Sequence, residues 1–105
     1  MKDSALFCAN DEIAMGAYAA AAERQLSIPG DLAVTGWDDI PVARFLAPAL
    51  TTVRQPLAEI GALAARLVLE RVGGSRKKPV LTVLPTEMLI RSSCGCQPQG
   101  GTWEK

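Results

Sequence analysis

Ala5-Leu6-Phe7-Cys8-Ala9-Asn10-Asp11-Glu12-Ile13, with the alanine-rich run that follows to Gln25, decides the fold class. ALFCA is a short apolar run, compatible with a strand buried on both faces of a sheet. Asn10 then stands where a helix N-cap is expected. Asp11 and Glu12 place negative charge at the positive end of a helix dipole. The helix is expected over 13–25, and its small side chains allow close packing on a sheet or another helix.

Working outward, Ser27-Ile28-Pro29-Gly30-Asp31 has Pro-Gly turn chemistry. Leu32 to Trp37 (LAVTGW) is the next strand candidate, closed by Asp38-Asp39. Residues 40–50 carry the breakers Pro41 and Pro48 and have room for one short helical turn. Residues 50–53 are β-prone. Pro56 fits the first position of a second helix, on which Leu57, Ile60, Ala64, Leu67 and Val68 share one face. Gly73-Gly74 ends it. Residues 80–84 and 86–91 are expected to be extended and hinged at Pro85. From Ser92 the chain is polar and expected to fray. The order β-α-β-turn-β-α-β-β implies an α/β fold, with a mainly parallel sheet and flanking helices.

With 105 residues, 49% of them hydrophobic and 21% charged, the chain holds at most one globular domain. A core of this size buries only about 60–65% of the unfolded surface. Eleven basic and eleven acidic residues cancel, and a free-standing nucleic-acid binder usually has a basic excess. Arg76-Lys77-Lys78, between Gly73-Gly74 and Pro79, reads as a solvated loop. The chain has no histidine, which removes Ser-His-Asp and Cys-His catalysis and most zinc sites. Three cysteines, Cys8, Cys94 and Cys96, suit a reducing cytoplasm better than a disulfide scaffold. No apolar run approaches a membrane span or signal peptide. No glycine-rich phosphate motif is present, and neither a cofactor nor a metal is expected.

Two apolar strand candidates end in polar residues, ALFCA at Asn10-Asp11 and LAVTGW at Asp38-Asp39. Open parallel sheets bind ligands beyond the carboxyl ends of their strands. Asn donates and accepts, and Asp accepts, which suits neutral polyhydroxylated ligands such as sugars. Trp37 offers an apolar face to a sugar ring. The same residues have plainer uses: Asn10 as a cap, Asp38-Asp39 as turn residues, Trp37 as core. Asp38 and Asp39 read as a catalytic carboxylate pair lack a nucleophile, and adjacent residues after a strand point apart. Cys94-Gly95-Cys96 has dithiol spacing but is a weak signal without histidine.

Phe7-Cys8-Ala9-Asn10-Asp11-Glu12-Ile13-Ala14-Met15-Gly16 resembles a signature of the lactose-repressor and galactose-repressor family. So do Ile28-Pro29-Gly30-Asp31-Leu32-Ala33-Val34-Thr35-Gly36-Trp37-Asp38-Asp39 and Pro48-Ala49-Leu50-Thr51-Thr52-Val53-Arg54-Gln55-Pro56. The resemblance covers residues 5–95, ending in Leu84-Pro85-Thr86-Glu87 to Arg91. It implies a helix-turn-helix headpiece, absent from this chain, and a two-lobed effector domain like the periplasmic sugar-binding proteins. The expected activity is control of operator DNA binding by a small effector, expected to be a carbohydrate, in a cytoplasmic homodimer without membrane contact. A sugar-binding transport protein of the same architecture is the alternative.

By the resemblance, Asn10, Asp38 and Gln55 contact the ligand, and Trp37 replaces the usual Phe or Tyr. Gln25 stands where glycine is common, in the left-handed conformation. Ile13 and Ala17 of the first helix, with Arg44, Phe45 and Leu46, lie in the dimerisation region. Residues 1–95 would form the C-terminal portion of the effector domain: 5–53 in its C-terminal lobe, 57–73 a helix of the other lobe, 80–91 returning strands, 96–105 a tail. Without the rest of that lobe, the second helix is expected to expose its apolar face, with oligomerisation, rearrangement or marginal stability as the consequence.

Overall fold

Strand hands over to helix at Asn10. The computed structural model describes residues 4–75 and 78–96. In it β1 spans Ser4–Phe7 and α1 spans Asp11–Glu23. The Asn10 side chain accepts the Ile13 N–H at 2.8 Å, which satisfies one of the orphan donors of the first turn. The helix starts two residues before the expected Ile13, because Asp11 and Glu12 already belong to the capped turn. At its other end, the Gln25 N–H donates to the Ala22 carbonyl and the Leu26 N–H to the Ala21 carbonyl. This is a Schellman closure, and it holds Gln25 at φ 56°. Gln25 keeps the left-handed conformation expected of it, at about 1 kcal/mol of strain.

β2 (Leu32–Thr35) lies parallel to β1, in the register Ser4↔Leu32 to Phe7↔Thr35. The chain then passes through a short 3-10 helix, Pro41–Phe45, the helical turn expected between the prolines. β3 (Thr52–Arg54) runs parallel to β2 through bridges at Thr35↔Thr51 and Asp38↔Arg54. Backbone bonds from Gly36 to Thr51 and from Asp38 to Val53, both 2.9 Å, complete that seam. β4 (Glu87–Leu89) pairs with β3 antiparallel. Two two-stranded ladders, β1–β2 parallel and β3–β4 antiparallel, are thus joined by parallel bridges between β2 and β3. One small core joins it to α1, made of Cys8, Ala14, Val34, Ala43 and Leu50.

The chain divides into two compact units: the residues up to Arg54 with those from Glu87, and Gln55–Thr86. In the second, α2 spans Leu57–Val72. Pro56 is its N-cap rather than its first helical residue. Gly73 is right-handed, and Gly74, at φ 80°, makes the reversal.

Three expectations are corrected. Ala5, Leu6 and Phe7 are exposed rather than buried on both faces. Among the described residues β1 pairs only with β2, so it is an edge strand with no covering layer. Residues 80–84 form no strand. They pair with no other strand among the described residues, and an isolated extended segment has no ladder to satisfy its backbone. Ser92 and Ser93 do not fray. The Ser92 N–H bonds the Ala49 carbonyl at 3.0 Å, and Ser93 is fully buried. Its hydroxyl donates to the Val34 carbonyl at 2.6 Å and accepts the Thr51 N–H at 2.8 Å. Of the basic run, Arg76 and Lys77 lie outside the described residues, as does the tail from residue 97.

Candidate ligand-binding site

Because β1, β2 and β3 are parallel, their carboxyl ends fall on one edge of the sheet. Asn10 follows β1; Trp37 and Asp38 follow β2. All three are half-buried. The Asp11 N–H donates to the Trp37 carbonyl at 3.0 Å, tying the start of α1 to the end of β2. The helix cap is made by the Asn10 side-chain oxygen; an asparagine also carries two N–H donors. Capping and ligand contact are therefore compatible at this residue.

Asp38 and Asp39 both have positive φ, 113° and 54°. For residues with a side chain this backbone is strained, by an order of 1–3 kcal/mol each, and persists only where its surroundings over-determine it. They do so here. The Asp38 N–H bonds the Val53 carbonyl. The Asp39 carboxylate accepts from Arg91 Nη2 and from Arg54 Nε, each at 2.8 Å. The Arg91 and Asp39 side chains are 4% and 5% exposed. Burial pushes the Asp39 carboxyl up, but the two guanidinium groups outweigh it and hold it below the usual carboxylate range. Arg91 also donates from Nη1 to the Leu50 carbonyl at 3.0 Å, and Arg54 reaches Glu87 at 3.6 Å.

A second brace centres on Asp11, which is fully buried. Its carboxylate accepts the Thr52 hydroxyl at 2.6 Å and the Ile40 N–H at 2.8 Å. Gly36 makes this approach possible, since a Cβ there would collide with the Asp11 carboxylate. Asp11 and Asp39 are thus framework residues that hold the loop carrying Trp37 and Asp38. Both act through partners as distant as Thr52 and Arg91, so no local signal in the sequence marks them.

Gln55 belongs to the second unit. There it lines a groove of about 470 Å³ with Ile60, Leu63, Ala64, Leu67 and Leu84. Of the dimer candidates, Ile13 and Phe45 are 53% and 77% exposed, and Arg44 is exposed. Ala17 and Leu46 pack in part against the core. Among the described residues no group of three or more His, Cys, Asp or Glu side chains could hold a metal ion. No helix among them is long and apolar enough to cross a membrane.

Residues 1–94 match the family model of the periplasmic binding protein-like domain. The chain is 47% identical over 93 residues to the lactose operon repressor of Rhizobium radiobacter, covering 89% of this chain and 81% of that protein. It is 41% identical over 92 residues to the ribose operon repressor of Haemophilus influenzae, covering 88% of this chain but only 28% of that protein. Its fold superposes on a lactose-repressor-type regulator from Enterococcus faecium solved with bound ribose. The TM-score is 0.74 at 36% identity, covering 86% of this chain and 34% of that one. The chain thus spans about a third or less of the Haemophilus and Enterococcus proteins it matches.

Proposed function

The chain belongs to the periplasmic binding protein-like family of the lactose-repressor type, and from that premise we propose that it forms part of the sugar-sensing region of a cytoplasmic DNA-binding repressor. One observation supports the ligand site: Asn10 follows β1 and Trp37 and Asp38 follow β2 at the carboxyl edge of parallel strands, and two buried carboxylates hold the loop after β2. Donors, acceptors and an indole gathered at one sheet edge suit a ring bearing hydroxyl groups. Gln55, in the second unit, is proposed as a ligand contact on the family resemblance alone. Residues up to Arg54 with the final strand belong to one lobe, and α2 to the other.

Operator DNA is contacted by a headpiece elsewhere in a longer protein. The balanced charge of this chain supports that division of labour. Ile13, Arg44 and Phe45 contribute to pairing of two copies. No enzymatic step is assigned, and the engagement of Asp39 by two arginines supports leaving it out.

Calorimetric titration of the longer protein against pentoses, hexoses and disaccharides tests the reading. Against the best ligand, Asp38→Ala weakens affinity at least about tenfold, the loss of one charged hydrogen bond. Asn10→Ala weakens it by less. Unchanged affinity in both variants removes the strand-end edge as the site, and no sugar binding at all removes the effector class.

A further inference from the structure

Cys94-Gly95-Cys96 is not among the residues of the proposed ligand site, yet it is held in a defined turn. Gly95 has φ 72°, a conformation that glycine adopts freely. The turn folds Cys96 back so that its N–H donates to Cys94 Sγ at 3.3 Å. Cys96 Sγ lies 4.0 Å from the Cys94 carbonyl oxygen. Cys94 directly follows Ser93, which is clamped between Val34 and Thr51 and is fully buried. One sulfur is therefore anchored to the β2–β3 seam, and the other lies exposed beside it.

We propose that Cys94 and Cys96 form a peroxide-sensitive dithiol site, with Cys94 the attacking thiolate and Cys96 the resolving thiol. The Cys94 thiolate attacks one oxygen of a hydroperoxide. The S–O bond forms, the O–O bond breaks, and the departing oxygen takes a proton and leaves as water when the oxidant is hydrogen peroxide. Cys96 sulfur then attacks the Cys94 sulfenic sulfur. The S–S bond forms, the S–O bond breaks, and a second water leaves with the Cys96 proton. Two thiols are oxidised to one disulfide and one peroxide is reduced to two waters.

The division of roles follows from the placement of the two sulfurs: Cys94 Sγ accepts the Cys96 N–H on a stretch anchored by buried Ser93, and Cys96 is exposed. Burial pushes the Cys94 thiol up, but donation from the Cys96 thiol, the Thr51 hydroxyl and the Cys96 N–H outweighs it and lowers Cys94. Cys96 is raised, chiefly because its thiol proton is engaged by Cys94. Thiolate character and access govern thiol oxidation. Cys8 is an internal control, since it is buried and its thiol is pushed up by burial.

The test uses the reduced 105-residue chain and stoichiometric hydrogen peroxide. Titratable thiols are expected to fall from three to one, and the tryptic peptide beginning at Ser92 to become about 2 Da lighter. In Cys96→Ser, a dimedone-reactive sulfenic acid accumulates on Cys94. In Cys94→Ser, Cys96 reacts several-fold more slowly than Cys94 does in Cys96→Ser, and unfolding in urea removes that difference. Equal rates in the folded variants overturn the proposal. So do first oxidation at Cys8, disulfides only between chains, or a Cys94 preference that survives unfolding.

Discussion

The carboxyl edge of the first unit and the helix of the second solve the same burial problem in opposite ways. At the edge, carboxylates are taken out of water and paired: Asp11 with Thr52 and Ile40, Asp39 with Arg54 and Arg91. Along α2, no residue is buried at all. Val68, Leu69 and Val72 are 61%, 71% and 81% exposed. Stability therefore resides in the polar corner and its small apolar core, and α2 holds apolar surface that contributes little to this chain by itself. Substitutions in the polar corner should therefore cost far more than substitutions on α2.

The largest expected effect is at Asp39. Removing its carboxylate with Asp39→Ala leaves the Arg91 guanidinium buried without its counter-charge, a loss of about 3–5 kcal/mol for a broken buried pair. Urea unfolding followed by circular dichroism measures it. The pH dependence has a definite sign. The folded-state pKa of Asp39 is depressed, and an unfolded aspartate titrates near 3.9. The stabilisation is therefore complete above about pH 4 and disappears as pH falls through the lower, folded value. Asp31 is lowered too, by its bonds to Ser27, but it is present in both proteins and cancels in their difference. The gap between wild type and Asp39→Ala should narrow below about pH 4. A gap that is constant across pH 3–7 would show that the carboxylate's charge is not what holds the corner.

How far the sequence reached is clearest at these same positions. Asn10 as cap, the left-handed Gln25, the helical turn near Pro41 and the span of α2 were all legible, because each depends on a few neighbouring residues. Asp38 was legible as the end of a strand. Asp11 was read as helix-end charge and a strand-end polar group, and Asp39 as a strand-end, turn or carboxylate-pair residue, neither as a buried framework group. Their partners Thr52 and Arg91 lie 41 and 52 residues away, and only the topology joins them. Ser93 was missed for the same reason: its polar neighbours suggest a frayed end, while its bonds to Val34 and Thr51 are non-local. The exposure of β1 was missed because an apolar run reports what a strand can bury, not what is there to cover it.

A smaller effect is expected at Asn10, where local and long-range structure meet. Asn10→Ala removes the cap on Ile13, and loss of a cap costs about 1 kcal/mol. The same urea experiment should show a parallel shift of the transition at unchanged slope. A loss as large as that for Asp39→Ala would mean that Asn10 belongs to the buried polar framework rather than to the helix end, and it would blur the division between cap and corner.

The smallest effect is expected on α2. Ile60, Ala64 and Val68 are spaced by four residues and share a face, with Leu57 and Leu67 beside them. In a packed helix a charge on that face would be strongly destabilising. Here Val68 is 61% exposed, so Val68→Glu should change the unfolding free energy by no more than about 0.5 kcal/mol, as for other surface substitutions. It is expected to act instead on association at micromolar concentration, by placing a charge on the apolar surface left on α2. Sedimentation velocity of wild type and Val68→Glu separates the two effects: a shift toward monomer with an unchanged urea midpoint is the expected result. A destabilised monomer would place α2 inside a cooperative core, and the contrast between the two units would fail.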